Sequence, residues 1–245
     1  MARLSVNLNK VALLRNSRRT GVPDLAPFAR AAIEAGARGI TVHPRPDERH
    51  IRRADVPALA ALLAPQRPAV ELNVEGYPDE RLLDIGREVR PEQCTLVPDA
   101  PDAFTSEKGW ELDAREEKMA RPAIEGFKAL GARVILFIDP DPAVVPRVAA
   151  SGADGIEIYT GAYAAAFREG SHAMLLDACA ATAEAARAQG LVVNAGHDLN
   201  LRNIPPLVAR IGFLAEASIG HELTADALMM GFPAAVAAYA AALRG

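Results

Sequence analysis

The chain has 245 residues, of which 50% are apolar, 24% charged and 5% aromatic, with two cysteines and a net charge of −4. Charges of both signs, no basic block beyond short arginine pairs and few aromatics argue against an extended nucleic-acid surface and point to small partners. Cys94 and Cys179 are too few for a disulfide framework and lie in no CxxC spacing, so a reducing compartment is the natural reading and a structural zinc site is not expected. No stretch approaches about 18 consecutive apolar residues, and Met1 to Lys10 carries no secretory signature. The expectation is one soluble, cytoplasmic domain over residues 1–245.

Short runs rich in Val, Ile and Leu alternate with longer Ala, Leu and Arg segments at helical spacing. In chain order, a strand at Leu4–Asn9 leads through NLNKVALLRNSRRTG, a turn without GxGxxG, to a helix at about Asp24–Gly36. A strand at Gly39–Pro44 precedes a helix at Asp55–Leu63, a strand at Ala69–Val74 a helix at Asp79–Val89, and a strand at Gln93–Pro98 a helix at Asp113–Leu130. A strand at Arg133–Asp139 is then followed by a helix at Pro142–Ala150, and one at Gly155–Thr160 by a helix at Ser171–Gln189. The last two strands, Leu191–Ala195 and Phe213–Ile219, precede a short helix near Leu201–Ala209 and a longer one at Thr224–Leu243, broken at Gly231–Pro233. Asp or Ser stands near several helix starts, and glycine enters in AGA, LGA, SGA and QGL where helices should stop. Strict alternation makes parallel strands, and eight such units in this length fit a single α/β (β/α)8 TIM barrel. The competitor is an open doubly wound sheet, but the first strand-to-helix turn lacks the dinucleotide fingerprint that such a sheet would show there.

Polar residues gather at the expected strand ends. Asn7 and Asn9, His43 and Arg45, Glu71 and Asn73, and Glu157 and Tyr159 are each two apart, so each pair should share one side of its strand. Asn194, His197, Gly220 and His221 follow at the seventh and eighth strand ends, on the rim where barrels build active sites. Four of the five histidines, His43, His50, His197 and His221, fall at or just after strand ends, and histidine exchanges protons near neutral pH. Glu71 has two readings: an ion pair with an arginine of a neighbouring strand, or a general acid or base partnered by His43. Glu157 is open in the same way.

Arg15, Arg18, Arg19, Arg45 and Arg49 lie in the first two loops, where guanidinium groups suit phosphate, although Arg19 and Arg49 also fit a solvated face. Gly196 and Gly220 stand where barrels commonly hold phosphate on backbone N–H groups. His43, Glu71, His197 and His221 could together supply metal ligands, but no HxH or HExxH spacing supports that reading. Lys10 is the one lysine near a strand end and so the sole candidate for a Schiff base.

The segments VNLNKVALLRNSR, GITVHPRPDERHI, VELNV, CTLVPD with FTSEKGW, FIDPD, IEIYTGAYA, VNAGHDLN and SIGHEL occur together in an order and spacing that resemble the pyridoxine 5′-phosphate synthase family, nearly end to end. The resemblance implies a (β/α)8 barrel that condenses 3-amino-2-oxopropyl phosphate with 1-deoxy-D-xylulose 5-phosphate by acid/base catalysis, without metal or redox cofactor, usually as an octamer built from dimers. It implies that His43 and Glu71 are proton acceptors and His197 the donor. Asn7, Arg18, Asp198, Gly220 and His221 match the positions for the aminoketone phosphate, and Asn9, Lys10, Arg45, His50 and Thr105 those for the sugar phosphate. Asn9-Lys10 replaces an Asp-His pair of the best-known members, Tyr159 stands where a His is familiar, and Asp198 replaces a glycine. A glycine at that position suggests positive φ and a main-chain contact, so the Asp198 side chain is expected to turn out of the pocket. Two other readings remain open: a Schiff-base aldolase of phosphorylated sugars using Lys10, and a phosphate-ligand binding barrel without turnover.

Overall fold

A computed structural model describes residues 1–99 and 108–245. Within it, the chain order runs β1 (Arg3–Asn7), α1 (Asn9–Asn16), α2 (Leu25–Glu34), β2 (Gly39–Val42), α3 (Asp55–Leu63), β3 (Glu71–Gly76), α4 (Glu80–Val89), β4 (Gln93–Leu96) and α5 (Ala114–Ala129). It continues with β5 (Arg133–Ile138), α6 (Val145–Ser151), β6 (Gly155–Tyr159), α7 (Gly161–Glu169), α8 (Ala173–Ala188), β7 (Val192–Gly196), α9 (Ile204–Arg210), β8 (Glu216–Ile219), α10 (His221–Met230) and α11 (Phe232–Ala242). Each strand pairs in parallel with its sequence neighbour, and β8 pairs back onto β1 with Arg3 opposite Glu216 and Ser5 opposite Ser218, which closes a (β/α)8 barrel.

Local chemistry sets the element ends. Asp79 accepts from the Leu82 N–H at 2.8 Å and opens α4, and Asp113 accepts from the Arg115 and Glu116 N–H groups and opens α5. Gly152 and Gly170 close α6 and α7 with φ of 83° and 76°, a conformation that a Cβ disfavours. Two helices were not expected from the sequence. Asn7 Oδ1 accepts from the Asn9 N–H at 2.9 Å, turning the chain so that α1 begins at Asn9 and the first strand ends two residues early. The segment before Ser171 forms α7, separate from α8.

Period-two alternation gives each strand an outer and an inner face. Leu4, Val6, Ile40, Val42, Leu72, Val74, Leu136, Ile156 and Ile158 face outward and form, with the helices, one continuous apolar core. Apart from Ile135 and Phe137 of β5 the inner face is polar, where barrels usually stack Val, Ile and Leu. Ser5 and Thr41 share a hydrogen bond of 2.7 Å, Asn73 donates to Thr41 and Thr95, and Gln93 donates to Glu216 at 3.0 Å. These buried groups are tolerable because they satisfy one another.

Candidate active site

The inner-face residues at the C-terminal strand ends open into a cavity of about 400 Å³ lined by Asn7, Asn9, Lys10, His43, Arg45, Arg49, His50, Glu75, Thr95, Phe137, Glu157, His197, Asp198, Ser218, Gly220 and His221, among others. Asn7, Asn9, Lys10, His43, Arg45, His50, His197, Asp198, Gly220 and His221 therefore stand together, as the sequence suggested.

Glu71 does not stand with them. It is the first residue of β3, where it accepts from Arg3 at 2.9 Å and pairs with Arg133, at the N-terminal mouth of the barrel. The expected strand was placed two residues too early, and the glutamate at the C-terminal end of β3 is Glu75. Four residues at about 3.3 Å each separate the two carboxyl groups by roughly 13 Å along one face of the strand. The available signal was the Gly76-Tyr77-Pro78 breaker directly after Glu75, which marks the true strand end. With Glu71 at the opposite mouth, the four residues weighed as metal ligands, His43, Glu71, His197 and His221, do not come together. Arg18 is exposed and, among the described residues, is not part of the cavity lining. Thr105 lies outside the described residues. Arg15 is buried and turned to structural use: its guanidinium holds Asp55 in a two-point ion pair at 2.7 and 2.8 Å and donates to the His50 carbonyl, tying α1 to the second loop.

Glu75 and His43 face each other across adjacent strands, with Nδ1 to Oε2 at 4.0 Å, and Asn7 donates to the same oxygen at 3.3 Å. Burial raises the Glu75 carboxyl to about 7, against the opposing charges of His197 and Arg45. Burial also lowers His43 well below the ordinary histidine range, and Arg45, His50 and Arg81 lower it further, so its imidazole is neutral at pH 7. Asn9 Oδ1 accepts from the His43 N–H at 3.0 Å and fixes that backbone. His50 is lowered to about 4 by burial and by Arg45, Arg49 and Lys10, and its Nδ1 accepts from the Ile51 N–H at 2.9 Å. Arg45 is buried and meets Asp99 at 3.7 Å.

On the opposite wall Glu157, which the sequence left open, is buried and lines the cavity. Its carboxyl is held well above the usual range by burial and then by Glu75 and Glu216. A Cβ on Gly196 would lie 2.1 Å from Glu157 Oε1, so only glycine on the next strand leaves room for that carboxyl. His197 follows with φ of 81° and Asp198 with φ of 57°. The positive φ expected at Asp198 is present, but its side chain lies against His197, with Oδ2 3.4 Å from Nδ1. Gly220 precedes α10, and its bare Cα lets the chain pass Asn7, whose Cβ would be 3.1 Å from an added methyl. Among the described residues, no helix is long and apolar enough to cross a membrane.

Comparison with known proteins gives a consistent result. A family model described as "Pyridoxal phosphate biosynthesis protein PdxJ" matches residues 4–245. A pyridoxine 5′-phosphate synthase of Brucella anthropi is 51% identical over 243 residues, covering 99% of each chain. A protein of the same name from Brucella suis is 49% identical over 245 residues, covering 100% of this chain and 99% of its own. Among solved structures, a tryptophan synthase chain of M. tuberculosis superposes with a TM-score of 0.66 at 14% identity, covering 100% of this chain and 94% of its own. Phosphoribosyl anthranilate isomerase of Thermotoga maritima gives 0.59 at 13% identity with 100% of both chains covered. At such identity the two structures share the barrel alone.

Proposed function

The chain belongs to the PdxJ family of pyridoxal phosphate biosynthesis proteins, and from that premise we propose that it condenses 3-amino-2-oxopropyl phosphate with 1-deoxy-D-xylulose 5-phosphate to pyridoxine 5′-phosphate, inorganic phosphate and water. The observation that carries this reading is the convergence of Glu75, His43 and His197 on one cavity rimmed by cationic and amide side chains. Imine formation between the amine of one substrate and the ketone of the other, loss of water and phosphate, and the final aromatising deprotonation all move protons and leave the redox balance unchanged. Neutral His43 suits proton acceptance, and Glu75, poised near neutrality, suits acceptance and return of a proton within one cycle. His197 is the donor on the facing side. Glu75 thus takes the role that the sequence assigned to Glu71.

Two anchoring regions flank these groups. Asn9, Lys10, Arg45 and His50 form one wall, suited to the sugar phosphate, with Arg49 beside them. Asn7, Asp198, Gly220 and His221 form the other, where the start of α10 presents backbone N–H groups to the aminoketone phosphate. Holding both phosphates turns a bimolecular condensation into an effectively intramolecular one. The free, buried thiols of Cys94 and Cys179 support a cytoplasmic setting. Exposed Leu13 and Leu14 on α1 and Leu228 and Met229 on the adjoining α10 support assembly into the octamer usual for the family. Purified protein given both substrates should form pyridoxine 5′-phosphate, followed by its absorbance. A borohydride-reducible adduct on Lys10 with no such product would support the aldolase reading instead, and stabilisation by substrates without turnover the binding barrel.

A further inference from the structure

Helix α1 serves the cavity at both of its ends. Asn9 and Lys10 of its first turn line the wall suited to the sugar phosphate, and Arg15 and Asn16 of its last turn reach the loop after β2, which brings Arg49 and His50 to the same wall. That loop, between Val42 and Asp55, is neither strand nor helix, and three consecutive carbonyls, those of Glu48, Arg49 and His50, turn toward one point. Extended backbone cannot do this, because its successive carbonyls alternate in direction. Here Glu48 takes φ of 52°, in the left-handed region that a glutamate enters only where its surroundings hold it. Oxygens gathered in this way need a donor between them.

The donor is Asn16. Its Nδ2 lies 3.1, 3.1 and 2.7 Å from the Glu48, Arg49 and His50 carbonyl oxygens, with two N–H bonds shared among the three. Its Oδ1 accepts from Arg15 Nε at 3.0 Å, which fixes the sense of the amide: turned over, it would set oxygen against three oxygens and nitrogen against a guanidinium. Arg15 adds a bond to the His50 carbonyl at 3.0 Å and is held by Asp55, whose Oδ2 also accepts from the Arg52 N–H at 2.7 Å. Those contacts secure the far end of the loop, whereas Asn16 also meets the carbonyls of Glu48 and Arg49. We propose that Asn16 is a positioning residue for the sugar-phosphate wall: by binding three consecutive carbonyls it fixes the backbone from which Arg49 and His50 reach the cavity. Both side chains are referenced to that backbone, since Arg49 pairs with Asp47 at 2.6 Å and His50 Nδ1 accepts from the Ile51 N–H at 2.9 Å. That the ligand is the phosphorylated sugar rests on the proposed function; that Asn16 holds the loop rests on the geometry alone.

The test uses the full-length chain with Asn16→Ala, which deletes the amide at a helix end that alanine suits, and Asn16→Asp, which keeps its shape but sets a carboxylate oxygen against the carbonyls. In the ligand-free protein, amides of residues 47–53 should exchange hydrogen about tenfold or more faster in both variants, with the rest of the barrel unchanged. In turnover, KM for 1-deoxy-D-xylulose 5-phosphate should rise about five- to tenfold, while KM for 3-amino-2-oxopropyl phosphate stays within about twofold and kcat within about threefold. Calorimetric titration with the sugar phosphate alone should show the same weakening. Unchanged exchange in the loop overturns the proposal, and so does an equal rise in both KM values or a fall in kcat alone. An unfolding midpoint lowered by more than about ten degrees in both variants would make Asn16 a brace for the whole barrel and also overturn it. Absence of product in the wild type would overturn the functional reading instead, while the exchange rates and the calorimetric affinity still decide this one.

Discussion

Replacing Glu75 by Gln separates catalysis from stability in opposite directions. The Glu75 carboxyl is raised from 4.5 to about 7 by burial in the folded chain, so above that range the folded state bears the cost of a buried charge that the unfolded chain solvates freely. A shift of this size corresponds to about 3 kcal/mol at pH 8, since each pH unit is about 1.4 kcal/mol. The sign follows from the raised value: the cost is absent below the unfolded carboxyl value, grows as pH climbs toward 7, and is constant above. Gln is nearly isosteric and uncharged, and its amide oxygen can keep the Asn7 contact at 3.3 Å. Glu75→Gln should therefore unfold several degrees higher than the wild type at pH 8, with the gap closing by pH 4. It cannot exchange a proton, so kcat should fall by about a hundredfold or more. Paired thermal scans at the two pH values and steady-state kinetics on the same preparation measure both. A variant with kcat within tenfold of the wild type would refute the role of Glu75, and a lower midpoint at pH 8 would refute the account of its burial.

Glu71→Gln is the counterpart: it leaves Arg3 and Arg133 without their carboxylate, but their side chains are 38% and 26% exposed and water can solvate them. It should cost about 1–2 kcal/mol in denaturant unfolding with kcat nearly unchanged, whereas loss of turnover in a folded variant would restore the role first read from the sequence. Lys10→Met should raise KM for the sugar phosphate more than it lowers kcat, as steady-state kinetics with that substrate varied will report, because Lys10 lines the cavity as a cation beside Arg45 and His50. Gly196→Ala should lose about 1–3 kcal/mol and most activity, because its methyl would fall 2.1 Å from a carboxyl oxygen of Glu157. An active Gly196→Ala protein with an unchanged unfolding midpoint would show that Glu157 has room to move.

The barrel was legible because its outer strand faces are apolar in a period of two and its helices carry caps such as Asp79 and Asp113, which are local signals. Helix α1 was hidden because its start depends on a local turn, the Asn7 side chain accepting from the Asn9 N–H, which the apolar pattern of NKVALLRN does not reveal. His43, His197 and His221 were legible because they fall just beyond strand ends whichever boundary is chosen within a residue or two. The glutamate was not, because β3 carries two inward carboxylates on one face and a shift of the expected end exchanges one for the other.

That exchange has a physical explanation in the interior of this barrel. In a barrel filled with Val, Ile and Leu, an inward carboxylate well below the rim would be too costly to bury, and only one glutamate of β3 would be admissible. Here the inner face is largely polar, with Ile135 and Phe137 of β5 the apolar exceptions, and the lower carboxylates have partners: Glu71 has Arg3 and Arg133, and Glu216 has Gln93. The two glutamates of β3 are then told apart by what surrounds them. Glu71 is paired with arginines and can do no more than hold the mouth shut. Glu75 has an amide and a neutral imidazole for neighbours, with no arginine in two-point contact, and burial leaves it half protonated near pH 7. A carboxyl that shuttles protons must be buried without being neutralised by a fixed cation, and of the two only Glu75 meets that condition.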